Sequence, residues 1–271
     1  MEAASASPVL QRARGTGRVT VASRDGRTGL RTLYQEGCAK IRLPNAFDST
    51  AHAVLINTAG GLTGGDHVEW QASAGADAKL TLTTQACERI YKSLGPDARI
   101  ETRLTAGPGA RLDWLPQETI LFEDSRLSRR IDIDLDETAS LCAIEAVLLG
   151  RDAMGESARN ARLADHWRVR RGGRLIHAEA TRISGMPERE RDGLALLRGA
   201  SAFATILYIG ADAEARQARL PPSPPSVGSS RTGDRLVVRL LAPSGLALRR
   251  LLIPIITVLS GIGSLPRLWS L

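Results

Sequence analysis

The sequence predicts a mainly β protein of many short strands, with a helix close to its C-terminal end. Three observations carry this. Apolar residues recur with period two in segment after segment, turn signals separate those segments, and one stretch near the end follows helical spacing instead.

The alternation is plainest where Ile131, Ile133 and Leu135 interleave with Asp132, Asp134 and Asp136. Val68, Trp70 and Ala72 alternate with His67, Glu69 and Gln71, and Leu80 and Leu82 with Lys79, Thr81 and Thr83. Ile100 and Leu104 flank a similar run, and Trp167 and Val169 sit between arginines. Each pattern gives one apolar and one polar face, as a half-buried strand requires. Turn signals stand between the runs: Gly95-Pro96-Asp97, Gly107-Pro108-Gly109 and Gly172-Gly173. Such spacing favours an all-β architecture over βαβ units. Residues 143–149 are almost continuously apolar and read as a buried strand leading, at 150–155, into a short helix or turn.

Leu248, Leu251, Leu252, Ile255, Ile256 and Leu259 share one helical face, which predicts a helix over about 245–261. Pro254 lies off that stripe and is expected to remove one backbone hydrogen bond and kink the helix. A weaker helical pattern covers 212–220. Residues 221–230, PPSPPSVGSS, form the one low-complexity stretch and are expected to be an exposed loop, since prolines cannot join a central strand. With no linker before a segment long enough to fold alone, residues 1–271 read as one domain. The apolar segment 251–268 has few polar residues to face water, so the isolated chain is expected to be poorly soluble and rescued by a partner that covers it.

The formal charge is +7 with 36 basic residues, of which only Lys40, Lys79 and Lys92 are lysines. A basic nucleic-acid-binding β module is the reading such a balance invites. The arginines, however, are dispersed and mixed with acids, as in 126–136, and aromatics are 4% of the chain. Cys38, Cys87 and Cys142 form no C-x-x-C pair and are expected to be three buried thiols in a reducing compartment. The first fourteen residues carry no apolar signal core, and the run 251–262 is too short to span a bilayer, so the expected location is cytoplasmic.

The usual catalytic signatures are missing. Gly60-Gly61-Leu62-Thr63-Gly64-Gly65 resembles a phosphate loop, but Asp66 stands where Lys-Ser/Thr would be needed. There is no GxGxxG, no G-x-S-x-G elbow and no H-x-x-x-H pair. Asp132, Asp134 and Asp136 lack the glycine and closing glutamate of an EF-hand and read as a solvated strand face. An enzyme on a β scaffold is thereby disfavoured.

Several segments together resemble the UreD family of urease accessory proteins. They are residues 57–66 around the double Gly-Gly, Leu82-Thr83-Thr84-Gln85-Ala86, Ile90-Tyr91-Lys92-Ser93 and Trp114-Leu115-Pro116-Gln117-Glu118. Leu149-Gly150-Arg151 with Met154-Gly155-Glu156 follows, and Leu265-Pro266-Arg267-Leu268-Trp269 closes the set. Number, order and spacing make the match specific over nearly the whole chain. One departure is that Glu88 and Arg89 stand where the family usually carries a small hydroxyl residue and a lysine.

The resemblance implies stacked layers of many short strands with two helices, no catalytic residues and no tightly bound cofactor. It also implies a complex with a UreF-type helical partner and a UreG-type GTPase, docked on apo-urease, with nickel in transit along an internal water-filled route. It marks Gly60, Gly61, Gly64, Gly65, Asp66, Thr84, Gln85 and Tyr91 as motif residues toward partners. Read from the residues alone, the glycines serve tight turns or let a partner's backbone approach.

Glu145 and Glu179 are the acids in otherwise apolar surroundings that fall near the implied route. Glu145 reads either as a route carboxylate or as a buried acid paired with an arginine, and Glu179 either as a route carboxylate or as an exposed strand residue. Cys142 and His177 lie beside them in sequence as a packed thiol and a surface imidazole. On the route reading Glu145→Leu lowers urease activation with the complex intact. On the ion-pair reading it removes about 3–5 kcal/mol of stability.

Overall fold

The computed structural model describes residues 11–44, 48–151, 154–184, 193–261 and 265–269. Strand dominates it. The chain opens with a hairpin of β1 (Arg14–Arg24) and β2 (Arg27–Gly37), then β3 (Ala39–Arg42) and β4 (Ala51–Asn57). Next come β5 (His67–Ala74), β6 (Lys79–Thr84), the short β7 (Glu88–Ile90), β8 (Ala98–Ala106) and β9 (Arg111–Trp114). They are followed by β10 (Thr119–Leu121), β11 (Arg126–Leu135), β12 (Ser140–Leu149), β13 (Arg162–Arg171) and β14 (Arg174–Ser184). The last part holds β15 (Ala202–Ile209), helix α1 (Ala213–Ala218), β16 (Val227–Thr232), β17 (Arg235–Ala242), helix α2 (Gly245–Leu259) and a final 3-10 turn, Arg267–Trp269.

These strands form two sheets. The first runs β14-β13-β11-β8-β5-β1-β2 and the second β16-β17-β15-β12-β9-β6-β4-β3. From β4 to β13 the chain alternates between them, so each sheet gains one parallel neighbour per circuit: β5, β8, β11 and β13 in the first, β4, β6, β9 and β12 in the second. Parallel neighbours need a long return path, usually a helix. Here the opposite sheet is the return path, and the result is a stack of coils. Register keeps like residues in line. Val19, Ala72, Leu104, Ile133 and Val169 are successive partners across the first sheet, and all are buried. Antiparallel pairs close the stack, β1–β2 and β13–β14 in the first sheet and β15–β17–β16 in the second. The Gly172-Gly173 turn has both φ values positive, 53° and 79°, the geometry a two-residue hairpin needs.

The second sheet carries core on both faces. Leu141, Ala143 and Val147 of β12 face the first sheet, while Cys142, Ile144 and Ala146 join Leu248, Leu252, Ile255, Ile256 and Leu259 of α2. This accounts for the continuous apolar run in β12 and makes a third layer. Ser244 caps α2, its Oγ accepting from Ala247 N–H at 3.2 Å. At the other end Arg111 donates to Leu259 O at 2.7 Å and Arg216 to Val258 O at 2.5 Å, cations meeting the helix's negative pole. Pro254 lies inside α2 on its exposed side.

Several expectations need correction. The stripe of α2 is covered by the protein's own second sheet rather than left for a partner, because β15 and β17 present a second apolar face to it. Within 221–230 only the first part stays outside regular structure. Residues from Val227 onward form the edge strand β16, since Val-Gly-Ser-Ser contains no proline and its backbone pairs with β17. Of the three cysteines, all free, only Cys142 is buried; Cys38 and Cys87 are half-buried. The weaker helix shortens to the six residues of α1.

Candidate functional site

Each passage from the second sheet to the first runs along the same side of the stack: 58–66, 85–97, 115–125 and 150–161. These four crossings hold almost every motif singled out in the sequence. They lie on one another as a third wall. Leu62 bridges Ile90, Lys92 bridges Ser125, β7 pairs with β10, and β10 with the end of β12. A line of contacts runs up the wall through all four. The Tyr91 hydroxyl reaches Gly60 O at 3.4 Å, and its ring meets Phe122 edge-on at 5.1 Å. The Arg151 guanidinium lies over the Phe122 ring at 4.5 Å and donates to Glu156 at 2.6 Å.

The glycines are required by this stacking. A Cβ on Gly61 would stand 2.4 Å from the Tyr91 ring and 2.8 Å from Arg89 O, at φ +148°. On Gly64 it would overlap Ser93 and Pro96 of the next crossing. Gly60 and Gly65 supply positive φ, 75° and 86°. Asp66 is buried and holds the loop, accepting from Ala13 N–H and Thr63 N–H, both at 2.8 Å. Thr84 ties two crossings, accepting from Gln117 N–H at 2.8 Å and donating to Ala86 O at 3.0 Å. Gln85 is exposed at the surface. So too are Leu94 (93% exposed), Met154 (71%) and Tyr91 (39%), large apolar side chains on a wall otherwise tied together.

Behind the wall lies a buried charge cluster. Arg129 of β11 donates through Nε and Nη2 to the two oxygens of Asp165 on β13, at 3.1 and 2.6 Å. Its Nη1 bonds Glu145 of β12 across the inter-sheet space and Thr119 Oγ1 at 3.0 Å. The other oxygen of Glu145 accepts from the Trp114 indole at 2.9 Å. One guanidinium thus serves two carboxylates, so the cluster carries a net charge of −1 when both are ionised. Burial pushes the Glu145 carboxyl up, against the opposing pull of Arg129.

The Trp114–Glu118 motif leads from this cluster to the helix. Gln117 and Glu118 hold Arg249 of α2, with Arg249 Nε to Glu118 at 3.0 Å, and the guanidinium lies over Trp269 at 5.1 Å. The Trp269 indole donates to Leu115 O at 3.0 Å, so the closing motif docks onto the middle one.

The profile of the UreD urease accessory protein family matches residues 13–270. The chain belongs to the UreD family. A urease accessory protein UreD from Chelativorans sp. (strain BNC1) is 59% identical, covering 100% of this chain and 98% of that one. UreD from Rhizobium etli is 53% identical over 96% of each, and UreD from Rhizobium rhizogenes 51% identical over the whole of both.

Within this UreD-family chain Glu145 is the arginine-paired acid that one reading of the sequence describes. Glu179 lies on β14 at the far end of the sandwich, held by Arg239 at 2.6 and 2.9 Å and 3.7 Å from His177. The two acids are not in contact. They are linked by strand register, since Glu145 pairs with Thr205 and Thr205 with Arg239. Among the described residues no three His, Cys, Asp or Glu side chains gather as a metal-holding group. Phe122, Arg129 and Asp165 went unnoticed in the sequence.

Glu88 of β7 is held through Asn57 Nδ2 at 3.1 and 3.3 Å. Burial raises its carboxyl from 4.5 to about 7. A raised folded-state value means stability that is complete below the unfolded value and is lost as pH rises through about 7. Glu88→Gln keeps the Asn57 bond without the charge. It is expected to be about 1–3 kcal/mol more stable than the parent at pH 8 and equal to it near pH 4.5. Urea unfolding of both proteins at the two pH values checks this; an advantage that does not change with pH would contradict it.

Proposed function

We propose that this chain is a non-catalytic scaffold of urease maturation. It binds a UreF-type partner and, through it, a UreG-type GTPase, and with them passes nickel into apo-urease. The observation that carries the reading is the gathering of family motifs, 90 residues apart in sequence, on one wall that exposes Tyr91, Leu94 and Met154. Isolated apolar residues are common on surfaces, but a rigid wall edged with them is suited to burial by another protein.

On this reading Glu145 and Glu179 are transient carboxylates for the passing ion. What supports it is the excess negative charge around Arg129 and the polar register that leads from Glu145 through Thr205 to Arg239 and Glu179. A hydrated divalent ion near one uncompensated carboxylate gains about 6–7 kcal/mol at intermediate dielectric, before its own desolvation is subtracted. Each acid already has a guanidinium partner, so a passing cation competes with arginine and is released readily.

Glu145→Gln tests the route without dismantling the core, because Arg129 keeps both bonds to Asp165. Pull-down of the accessory complex and nickel content of the urease it matures are read together. The expected result is normal complex with lowered nickel. Normal complex with normal nickel removes Glu145 from the route.

A further inference from the structure

The wall runs along one side of the coils, and the stack ends at β14 in the first sheet and β16 in the second. There the inward faces of the last strands carry polar residues among the apolar ones. His177 and Glu179 of β14 look across at Arg235 and Arg239 of β17, with Ser230 and Thr232 of β16 alongside. A cavity of about 380 Å³ lies between them. Leu175, Ile176, Ala178 and Val237 supply its apolar lining.

The chemistry of its lining is that of an oxyanion cradle. Arg235 spends Nη1 on Ile176 O, and Arg239 spends Nη2 on Glu179. Among the described residues the remaining N–H groups of both guanidinium forks, and the hydroxyls of Ser230 and Thr232, make no hydrogen bond. The His177 side chain is 9% exposed, and its buried Nε2 makes no hydrogen bond, with a Glu179 oxygen 3.7 Å away. A buried ring nitrogen left without a partner is costly and marks a place where a further group fits. Two guanidiniums against one carboxylate leave the cavity with net positive charge. Planar forks with free N–H pairs match carboxylate and phosphate oxygens.

We propose that this mouth of the sandwich, lined by His177, Ser230, Thr232, Arg235 and Arg239, is an oxyanion-binding site. The oxyanion is either free phosphate or the carboxylate of an acidic segment of a partner. The site is separate from the crossing wall, and it shares Arg239 with the nickel route proposed above.

Thermal melts of the full chain, as parent, Ser230→Asp and Arg239→Gln, test the site in inorganic phosphate and in chloride at matched ionic strength. Bound ligand stabilises the folded state by mass action. Phosphate is expected to raise the parent's midpoint above that in chloride. Ser230→Asp places a carboxylate in the cavity and is expected to abolish the phosphate response. Arg239→Gln removes one fork and is expected to weaken phosphate binding about tenfold.

A short Asp/Glu-rich peptide, titrated in the same way, distinguishes the sources. A peptide response that Ser230→Asp abolishes assigns the site to a partner's carboxylate, and a response to phosphate alone assigns it to a free anion. Equal shifts of parent and Ser230→Asp, or no response to either probe, overturn the proposal.

Discussion

Replacing Arg129 with leucine is expected to cost the fold about 3–5 kcal/mol, the largest effect of any single substitution in the charge cluster. The reason is arithmetic of charge. Among the described residues Arg129 is the one cation bonded to both Glu145 and Asp165, and all three side chains are at most 7% exposed. Without it two carboxylates remain in the core with only the indoles of Trp114 and Trp167 and no counter-ion. Glu145→Gln is expected to cost only about 1 kcal/mol, because Asp165 still holds the guanidinium through two bonds.

The expectation drawn from the sequence concerned Glu145→Leu only, about 3–5 kcal/mol on the ion-pair reading; the second carboxylate on Arg129 separates that case from Glu145→Gln. Arg129→Leu and Glu145→Gln also differ in pH dependence. In Arg129→Leu the Glu145 carboxyl loses the guanidinium that pulls it down and stays raised by burial, so the deficit shrinks as pH falls and grows as pH rises. Urea unfolding at pH 5 and pH 8 measures both features. Equal costs for the two variants would show that Arg129 does not serve both acids.

The double variant Leu94→Asp, Met154→Asp is expected to lose at least about a hundredfold in affinity for a UreF-type partner while melting as the parent does. Both side chains are largely in solvent, so the fold gains little from them. A buried interface anchor, by contrast, is worth about 2 kcal/mol or more, and a charge forced into a dry interface adds its desolvation. A shift in melting without loss of affinity would assign these residues to folding rather than docking. Tyr91 is unsuited to this test, since its ring also supports Phe122 and fills the space beside Gly61.

The sequence showed which residues face inward but not what they face. Period two marks one side of β11 as Leu127, Arg129, Ile131, Ile133 and Leu135, and all five are buried. The parity that identified the strand also exposes Arg129 as a charge on the apolar side. It was lost among the neighbouring arginines and aspartates of 126–136, which do lie at least partly in solvent where Asp132 meets Arg130 at 2.5 Å. Asp165, between Leu163 and Trp167, repeats the pattern on β13. A polar residue at inward parity is therefore the signal that finds the cluster, and Glu145 was noticed because β12 has no polar face to hide it.

The winding between two sheets was not legible, because alternation does not distinguish a parallel neighbour from an antiparallel one. Nor could it show that β15 and β17 cover α2, since that depends on which strands sit at the end of the stack. The motif residues stood in the sequence as separate segments. Their common wall emerges only because each lies one coil above the last.

The wall is proposed as the face through which this UreD-family chain meets its partner. The most direct measurement is the nickel content of urease matured in cells lacking their own UreD and supplied with either this chain or its Leu94→Asp, Met154→Asp variant at equal abundance. The account predicts nickel near full occupancy with the parent and near background with the variant. Full nickel with the variant would contradict it.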